Sequence, residues 1–365
     1  MRKWVALAIA FLLFISFINI NSKHVSTATN MGNILYVGGD GEGNYSSIQD
    51  AINDAQDGDT IIVYPSNYKE NIVVYKELKI IGIDYPVIEA GDESRDTVKI
   101  IASNCTIESF KITNGENGIK MMDCAHNNIK NCFLYGNNYS GLYLKNAYHV
   151  LVMNDIFSDK GIYMKECGRV TISNNNFTNC GIFAEVVSET KITHNSFFNG
   201  KDMAIAIHHP TSYENEISYN QIKSFRVGIS FGGSGGRIYH NNIVSNDEGI
   251  LCHGSKYAKS LIYENNLSNN GIGIDLLNIP FDGLEITRNN FVGNELHAGF
   301  LDCYFILWHN NYWDDWSIPS PRPIFGRNFW FFPWVQFDWR PLMQLYEWWK
   351  NISTPAPAFA AVQIR

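Results

Sequence analysis

The apolar positions of this chain fall into short steps that repeat, not into long runs. A small residue followed by isoleucine or leucine recurs at Gly118-Ile119, Gly141-Leu142, Gly161-Ile162, Gly181-Ile182, Ala204-Ile205, Gly228-Ile229, Gly249-Ile250 and Gly273-Ile274. Successive steps are 23, 20, 20, 23, 24, 21 and 24 residues apart. A second motif keeps the same time: asparagine followed two residues later by Phe, Ile, Leu or Tyr. It stands at Asn131, Asn154, Asn175, Asn195, Asn220, Asn241, Asn265, Asn289 and Asn310. Two interleaved series with one period predict a solenoid. The period is too short for a βαβ unit and fits a coil of two or three short strands and turns. Coils stack about 4.8 Å apart with their strands paired in parallel. Each asparagine then sits over its counterpart, and its amide bonds the neighbouring amide and turn backbone that burial would otherwise leave unsatisfied.

A solenoid must hide its ends. Residues 45–56 place Ile48, Ala51, Ile52 and Ala55 on one helical face, with Ser46 or Ser47 as cap. That predicts a helix lidding the first coil, followed by a turn at Asp57-Gly58-Asp59 and a strand at Thr60–Tyr64. At the other end, residues 308–349 hold eight tryptophans and no repeat, which predicts a closing cap rather than a cofactor box. The expected layout is an export segment at 1–28, the β-helix with its N-terminal cap at 29–310, a Trp-rich cap at 311–350 and a loose tail at 351–365.

Composition narrows the function. The formal charge is −8 and no basic cluster stands out, which argues against a nucleic-acid partner. Arg2 and Lys3 precede an apolar run from Trp4 to Ile20, and Ser26-Thr27-Ala28 offers a small-residue cleavage site. The expected location is therefore extracytoplasmic, secreted or at the cell surface, with membrane contact only through the N-terminal segment if it stays uncleaved. Cleavage after residue 28 would move the charge to −11. Seven cysteines form no CxxC pair and no zinc spacing, so they read as small buried side chains. Six Asn-x-Ser/Thr triplets, at Asn44, Asn104, Asn138, Asn176, Asn266 and Asn351, carry little weight in an Asn-rich repeat.

Three stretches carry a family resemblance: Tyr45-Ser46-Ser47-Ile48-Gln49-Asp50-Ala51-Ile52 through Asp57-Gly58-Asp59-Thr60-Ile61, the repeated coil itself, and Asn311-Tyr312-Trp313-Asp314-Asp315-Trp316. They resemble the right-handed parallel β-helix repeats of the pectin-lyase-like superfamily, especially the NosD-type domain, over roughly residues 33–340. The resemblance implies an all-β, single-stranded right-handed solenoid. That superfamily includes lyases, polygalacturonases, epimerases, adhesins and copper-associated accessory proteins, so fold selects no chemistry.

The outward rows offer candidates. If the residue after each glycine points inward, the next points out. This row reads Lys120, Tyr143, Tyr163, Phe183, Ala206, Ser230, Leu251, Asp275; two residues further on lie Met122, Lys145, Lys165, Glu185, His208, Gly232, His253 and Leu277. Tyr143, Tyr163 and Phe183 would cover sugar faces, and Lys145 and Lys165 would attract uronic carboxylates. His253 flanks them, and Glu185 or His208 would move protons. The same rows are equally what solvent-facing ladders that stabilise a sheet look like. Asp202, Arg226 and Asp247 form a further row, read better as an ion-pair ladder than as a calcium site, although calcium is the one cofactor the row leaves open. Nothing shows the paired carboxylates of glycoside hydrolysis. The ten histidines are dispersed, which speaks against copper; His208 and His253 are expected roughly 10 Å apart, two coils away from each other. The reading is an exported β-helix binding extracellular polysaccharide and, if an enzyme, acting as a polysaccharide lyase or glycoside hydrolase. Its rivals are a non-enzymatic envelope or adhesion scaffold and a NosD-like copper-associated accessory protein.

Overall fold

The computed structural model describes residues 32–254, 259–279, 283–329 and 332–347. The Gly-Ile steps stack in the register that the periodicity predicts: Ile119, Leu142, Ile162, Ile182, Ile205, Ile229, Ile250 and Ile274 are successive cross-strand partners. Each full coil contributes one strand to each of three parallel ladders. Ladder A contains the long strands, such as Asn117–Ala125, Ser140–Tyr148, Ile162–Gly168 and Ile182–Ser188. Ladder B contains short ones, such as Asn128–Lys130, Leu151–Met153 and Thr171–Ser173, and ladder C the next, such as Phe133–Tyr135, Ile156–Ser158 and Asn176–Thr178. Ladders A and B run together in a 26-stranded sheet, and ladder C is a 12-stranded sheet. The fold is an all-β parallel solenoid.

The small residue before each isoleucine has a packing reason. A Cβ on Gly161 would lie 1.8 Å from the carbonyl oxygen of Gly181 on the next coil, so only glycine lets the two backbones stack. Inside, like sits on like. Phe157, Phe177 and Phe197 are fully buried on ladder C and stack with centroids 4.8 and 4.5 Å apart. Each such ring removed from water stabilises the fold by roughly 1.5–3 kcal/mol. All seven cysteines are buried and free, as their place in the repeat implied.

Between ladders B and C the chain bends through a left-handed residue and then a buried rung. Asn175, Asn195, Asn220, Asn241, Asn265, Asn289 and Asn311 are these rungs; each receives the backbone N–H of the rung on the preceding coil, and all but Asn175, which follows Asp155, also receive its Nδ2–H. Three positions of the expected series are corrected. Asn131, Asn154 and Asn310 are the left-handed corner residues (φ 54°, 61° and 57°), and the rungs beside them are Cys132, Asp155 and Asn311. Asparagine suits both the left-handed corner and the rung, so an Asn-x-apolar pattern is ambiguous by one residue. A second ladder, Asn246, Asn270 and Asn294, bonds in the same way between ladders C and A.

The N-terminal lid is helix α1, Ile48–Asp54, burying Ile48, Ala51 and Ile52. Ser47 is its cap, accepting from the Asp50 N–H. Glu70 completes it, accepting from the Ile48 and Gln49 N–H groups at 2.9 and 3.0 Å. At the other end an antiparallel hairpin, Arg322–Asn328 with Phe332–Asp338, lies over the last coil. Asp338 ends the asparagine ladder: its Oδ2 accepts from Asn311 N, Asn311 Nδ2 and Trp313 Nε1, each at 3.0 Å. Trp308 and Trp313 are fully buried, whereas Trp334 and Trp339 are exposed. Trp330, Trp348 and Trp349, the export segment at 1–28 and the tail at 351–365 lie outside the described residues.

Candidate functional site

The outward row of ladder A is assembled as its register requires: Lys120, Tyr143, Tyr163, Phe183, Ala206, Ser230, Leu251 and Asp275 are consecutive partners. Tyr143 and Tyr163 stack at 5.3 Å and 9°, and Tyr163 and Phe183 at 5.6 Å and 20°. All three rings are half-buried. Tyr139, which sequence reasoning missed, leans over both Tyr143 and Tyr163 and is 55% exposed. It lies outside the Gly-Ile periodicity, in the turn that precedes Gly141, so the repeat gave no signal for it. Lys120 sits over the Tyr143 ring at 5.4 Å and pairs with Asp96 at 3.5 Å, closing one end of the strip.

The second outward row places Lys145, Lys165, Glu185 and His208 side by side on adjacent coils. The Tyr163 hydroxyl donates to Glu185 at 3.3 Å. Burial, helped by the Glu185 charge, pushes that hydroxyl up to about 12. His208 meets the Phe183 ring edge-on at 5.3 Å, and its Nε2 lies 2.9 Å from the Ser230 hydroxyl.

One expectation fails here. His208 and His253 were placed about 10 Å apart by coil spacing, but their ring centroids are 5.2 Å apart. The intervening coil carries Gly232, and a Cβ there would fall 2.4 Å from His253 Cε1. The absent side chain leaves the space in which the two rings meet. Burial lowers the pKa of both imidazoles, and for His253 the neighbouring His208 adds to the effect. Two acids complete the face. Glu248 is raised by burial and then by the Asp275 charge, and its Oε2 is buried without a hydrogen-bond partner; Asp275 is raised by burial. Glu248 precedes its glycine directly and so escaped a reading that began at the glycine.

The Asp202–Arg226 part of the ion-pair row forms through two guanidinium bonds of 3.1 and 2.7 Å. It is solvent-exposed and so contributes little to stability. A groove of about 620 Å³ opens on ladder B, lined by Arg169, Glu189, Lys191, Glu216, Arg237 and Lys259 among others. Its charges pair largely with one another, as Arg169 with Glu189 and Arg237 with Glu216, and it carries no aromatic platform. The ladder A strip is the better candidate for sugar contact for that reason.

Comparison with known proteins agrees with this architecture. Residues 60–222 match the family model described as right handed beta helix region. Residues 181–314 match the one described as periplasmic copper-binding protein (NosD). The chain folds as a parallel β-helix, and its residues 181–314 are similar to the NosD model. A cell surface glycoprotein of Methanothermus fervidus is 39% identical over 104 residues, 27% of this chain; the match spans 18% of that relative's length. Among solved structures, a polygalacturonase from Erwinia carotovora superposes with a TM-score of 0.52 at 10% identity, covering 73% of this chain and 97% of its own. The Dettilon tailspike protein reaches 0.54 at 14% identity, covering 73% and 68%. At these identities the likeness is one of fold.

The NosD description raises copper, and the side chains do not fit it. Copper(I) takes clustered thiolates and thioethers, and copper(II) takes grouped imidazoles. The cysteines are buried, and burial pushes the thiols of Cys124 and Cys167 to about 11 and of Cys252 to about 12. His194 and His240 are separated by the Tyr219 ring, which stacks on the first and lies tilted against the second. His208 and His253 meet only as a pair of imidazoles, and the group of three donors that converges, among the described residues, is His297, Asp314 and Asp315, with ligand atoms within 4.8 Å of one another. It is oxygen-rich and already satisfied. His297 contacts Asp314 at 2.8 Å, and Asp315 accepts two bonds from Arg322, whose guanidinium lies 4.0 Å over Trp313. Arg322 supplies the positive charge that a cation would bring.

Proposed function

We propose that this is an extracytoplasmic, cell-surface β-helix protein that binds polysaccharide along ladder A. The observation that carries the reading is the continuous row of Tyr143, Tyr163 and Phe183, stacked face to face and half-buried on the outward row of ladder A. A sugar packs its C–H face on an aromatic ring face, which the 55% exposed Tyr139 offers beside the row, while the stacked rings lend apolar contact and hydroxyl groups. Lys145 and Lys165 lie beside it and favour a chain bearing carboxylates. The match to a cell surface glycoprotein supports the location.

Processing of the bound chain is the finer form of the proposal. Proton transfer needs a group that holds a proton and one that takes it. Glu248 and Asp275, both raised, suit the first role. His208 and His253, both lowered, suit the second, with Glu185 bridging them to the aromatic row through Tyr163.

Affinity electrophoresis in gels containing acidic or neutral polysaccharides tests the binding. Tyr163→Ala and Phe183→Ala should each weaken retardation by about tenfold, a loss of roughly 1.4 kcal/mol. Reducing-end release, with and without calcium, tests the processing. Equal retardation of parent and variants would remove the glycan from this face and leave an envelope scaffold.

A further inference from the structure

The bend between ladders B and C holds a second gathering of rings, away from ladder A. Its corner residue is left-handed on each coil, and asparagine takes that conformation cheaply. Asparagine stands there at Asn131, Asn154, Asn174 and Asn310. Between Asn174 and Asn310, five consecutive coils carry His194, Tyr219, His240, Glu264 and Arg288 instead, with φ between 53° and 56°. Backbone energetics alone favours asparagine at all five, so the run points to what these side chains do. Strain by itself does not single out this bend, since His126, His149, Arg169 and Glu189 are left-handed between ladders A and B. The rings do. His194 stacks on Tyr219 at 4.8 Å and 10°, and Tyr219 meets His240 at 4.7 Å. Tyr219 also meets Tyr239, which ends the ladder B strand Arg237–Tyr239, at 5.8 Å, and Tyr239 stacks on Tyr263 at 4.9 Å and 6°. Five rings thus form one unbroken cluster over four coils; His194 is exposed and the other four are half-buried.

Two ion pairs frame the cluster. Glu216 accepts from the Tyr239 hydroxyl at 2.7 Å and pairs with Arg237 at 3.2 Å. Glu264 pairs with Arg288 at 2.9 Å and with His240 Nε2 at 2.6 Å. Both carboxylates are largely covered, while both guanidinium groups reach the surface. Each pair cancels its own charge, so the frame offers no net field to hold a polyanion, unlike the lysines beside the ladder A row. A guanidinium carries five N–H donors, more than one carboxylate takes here. Aromatic rings for C–H faces, with fixed N–H and hydroxyl groups beside them, match an uncharged saccharide.

We infer that the bend between ladders B and C is a second glycan-binding surface, separate from the ladder A strip, and that it takes an uncharged polysaccharide. Binding here requires nothing of ladder A.

The test is affinity electrophoresis of the full chain in gels containing galactomannan, a soluble neutral glucan or polygalacturonate. At least one neutral polymer should retard the parent, and Tyr163→Ala on ladder A should leave that retardation unchanged. His194→Asn with Tyr219→Asn should weaken it by roughly tenfold, while retardation by polygalacturonate stays as in the parent. These substitutions place asparagine where the backbone prefers it, so a thermal transition close to the parent's is expected and checks the fold. Tyr263→Ala removes the other end of the cluster without touching a corner position, and should weaken the neutral polymer as well. Retardation by neither neutral polymer would overturn the inference, as would equal retardation of the parent and both cluster variants. A loss in Tyr163→Ala alone would assign the neutral polymer to ladder A, and a matching loss of polygalacturonate in the cluster variants would refute the preference for an uncharged chain.

Discussion

His208 and His253 stand two coils apart and yet meet edge to face across Gly232. The intervening residue therefore governs their separation. Gly232→Ala should push His253 aside, since its new Cβ would fall 2.4 Å from the ring. Imidazole titrations followed by NMR should show His253 below its ordinary 6.5 in the parent and nearer to it in the variant. Both histidines are lowered in the folded state, so the stability they contribute is present above pH 6.5 and falls away as acid protonates them. Parent imidazoles titrating at 6.5 would contradict this.

Asp155 occupies a rung where the following ones, Asn175 to Asn311, carry an NH2 donor, and its Oδ2 is buried without a partner. Burial, with Glu108 adding a smaller effect, raises its carboxyl well above 3.8. A raised acid binds its proton more tightly when folded. Its favourable contribution is thus complete below pH 3.8 and is lost as pH rises through the folded value. Asp155→Asn should stabilise the protein at neutral pH by about 1–3 kcal/mol, with the gain shrinking in acid. Urea melts at pH 7 and pH 4 measure both; a neutral-pH loss would refute the assignment.

Asn241 takes the opposite test. It accepts the Asn220 N–H and Nδ2–H, and donates to the Ile217 carbonyl and Asn265 Oδ1. Asn241→Ala orphans these groups inside the solenoid and should cost about 2–4 kcal/mol. A change under about 0.5 kcal/mol in the denaturation midpoint would mean that water replaces the rung.

The repeat is what made the fold legible. Gly161 and its counterparts mark the steric need for close backbone approach, so their spacing alone delivers the register of ladder A. The asparagine rungs were legible only to within one residue, because at 131–132 and 154–155 the corner asparagine stands beside a rung that is not asparagine. The Asn246–Asn270–Asn294 ladder escaped because the Gly-Ile step just after it dominates the pattern. In the candidate site the facing rows were readable, since side-chain alternation fixes them. The meeting of His208 with His253 was not, because it depends on what a missing side chain permits. At the C-terminal end, composition counted tryptophans but could not separate buried Trp313 from exposed Trp339.

Thiol chemistry offers a further test. The cysteines are free and buried, and burial raises Cys105 to about 11 and Cys180 to about 12. The reactive thiolate is therefore scarce as well as shielded. Ellman's reagent should find almost no thiol in the native protein and all seven in denaturant. Fewer than seven after unfolding without reductant would indicate a disulfide.

The main asparagine ladder has a direction. Each asparagine rung gives its N–H and one Nδ2–H to the rung of the following coil while its amide also donates to a carbonyl of the preceding one, and at Asp338 the series reaches a carboxylate that only receives. Such a row can lengthen by tandem duplication anywhere between Asp155 and Asn311, because an inserted coil both accepts from its predecessor and donates to its successor. The Asp338 side chain has no hydrogen to pass on, so a coil added beyond it would receive at most a backbone N–H, as Asn175 does from Asp155. The solenoid therefore lengthens more readily from within than at that end.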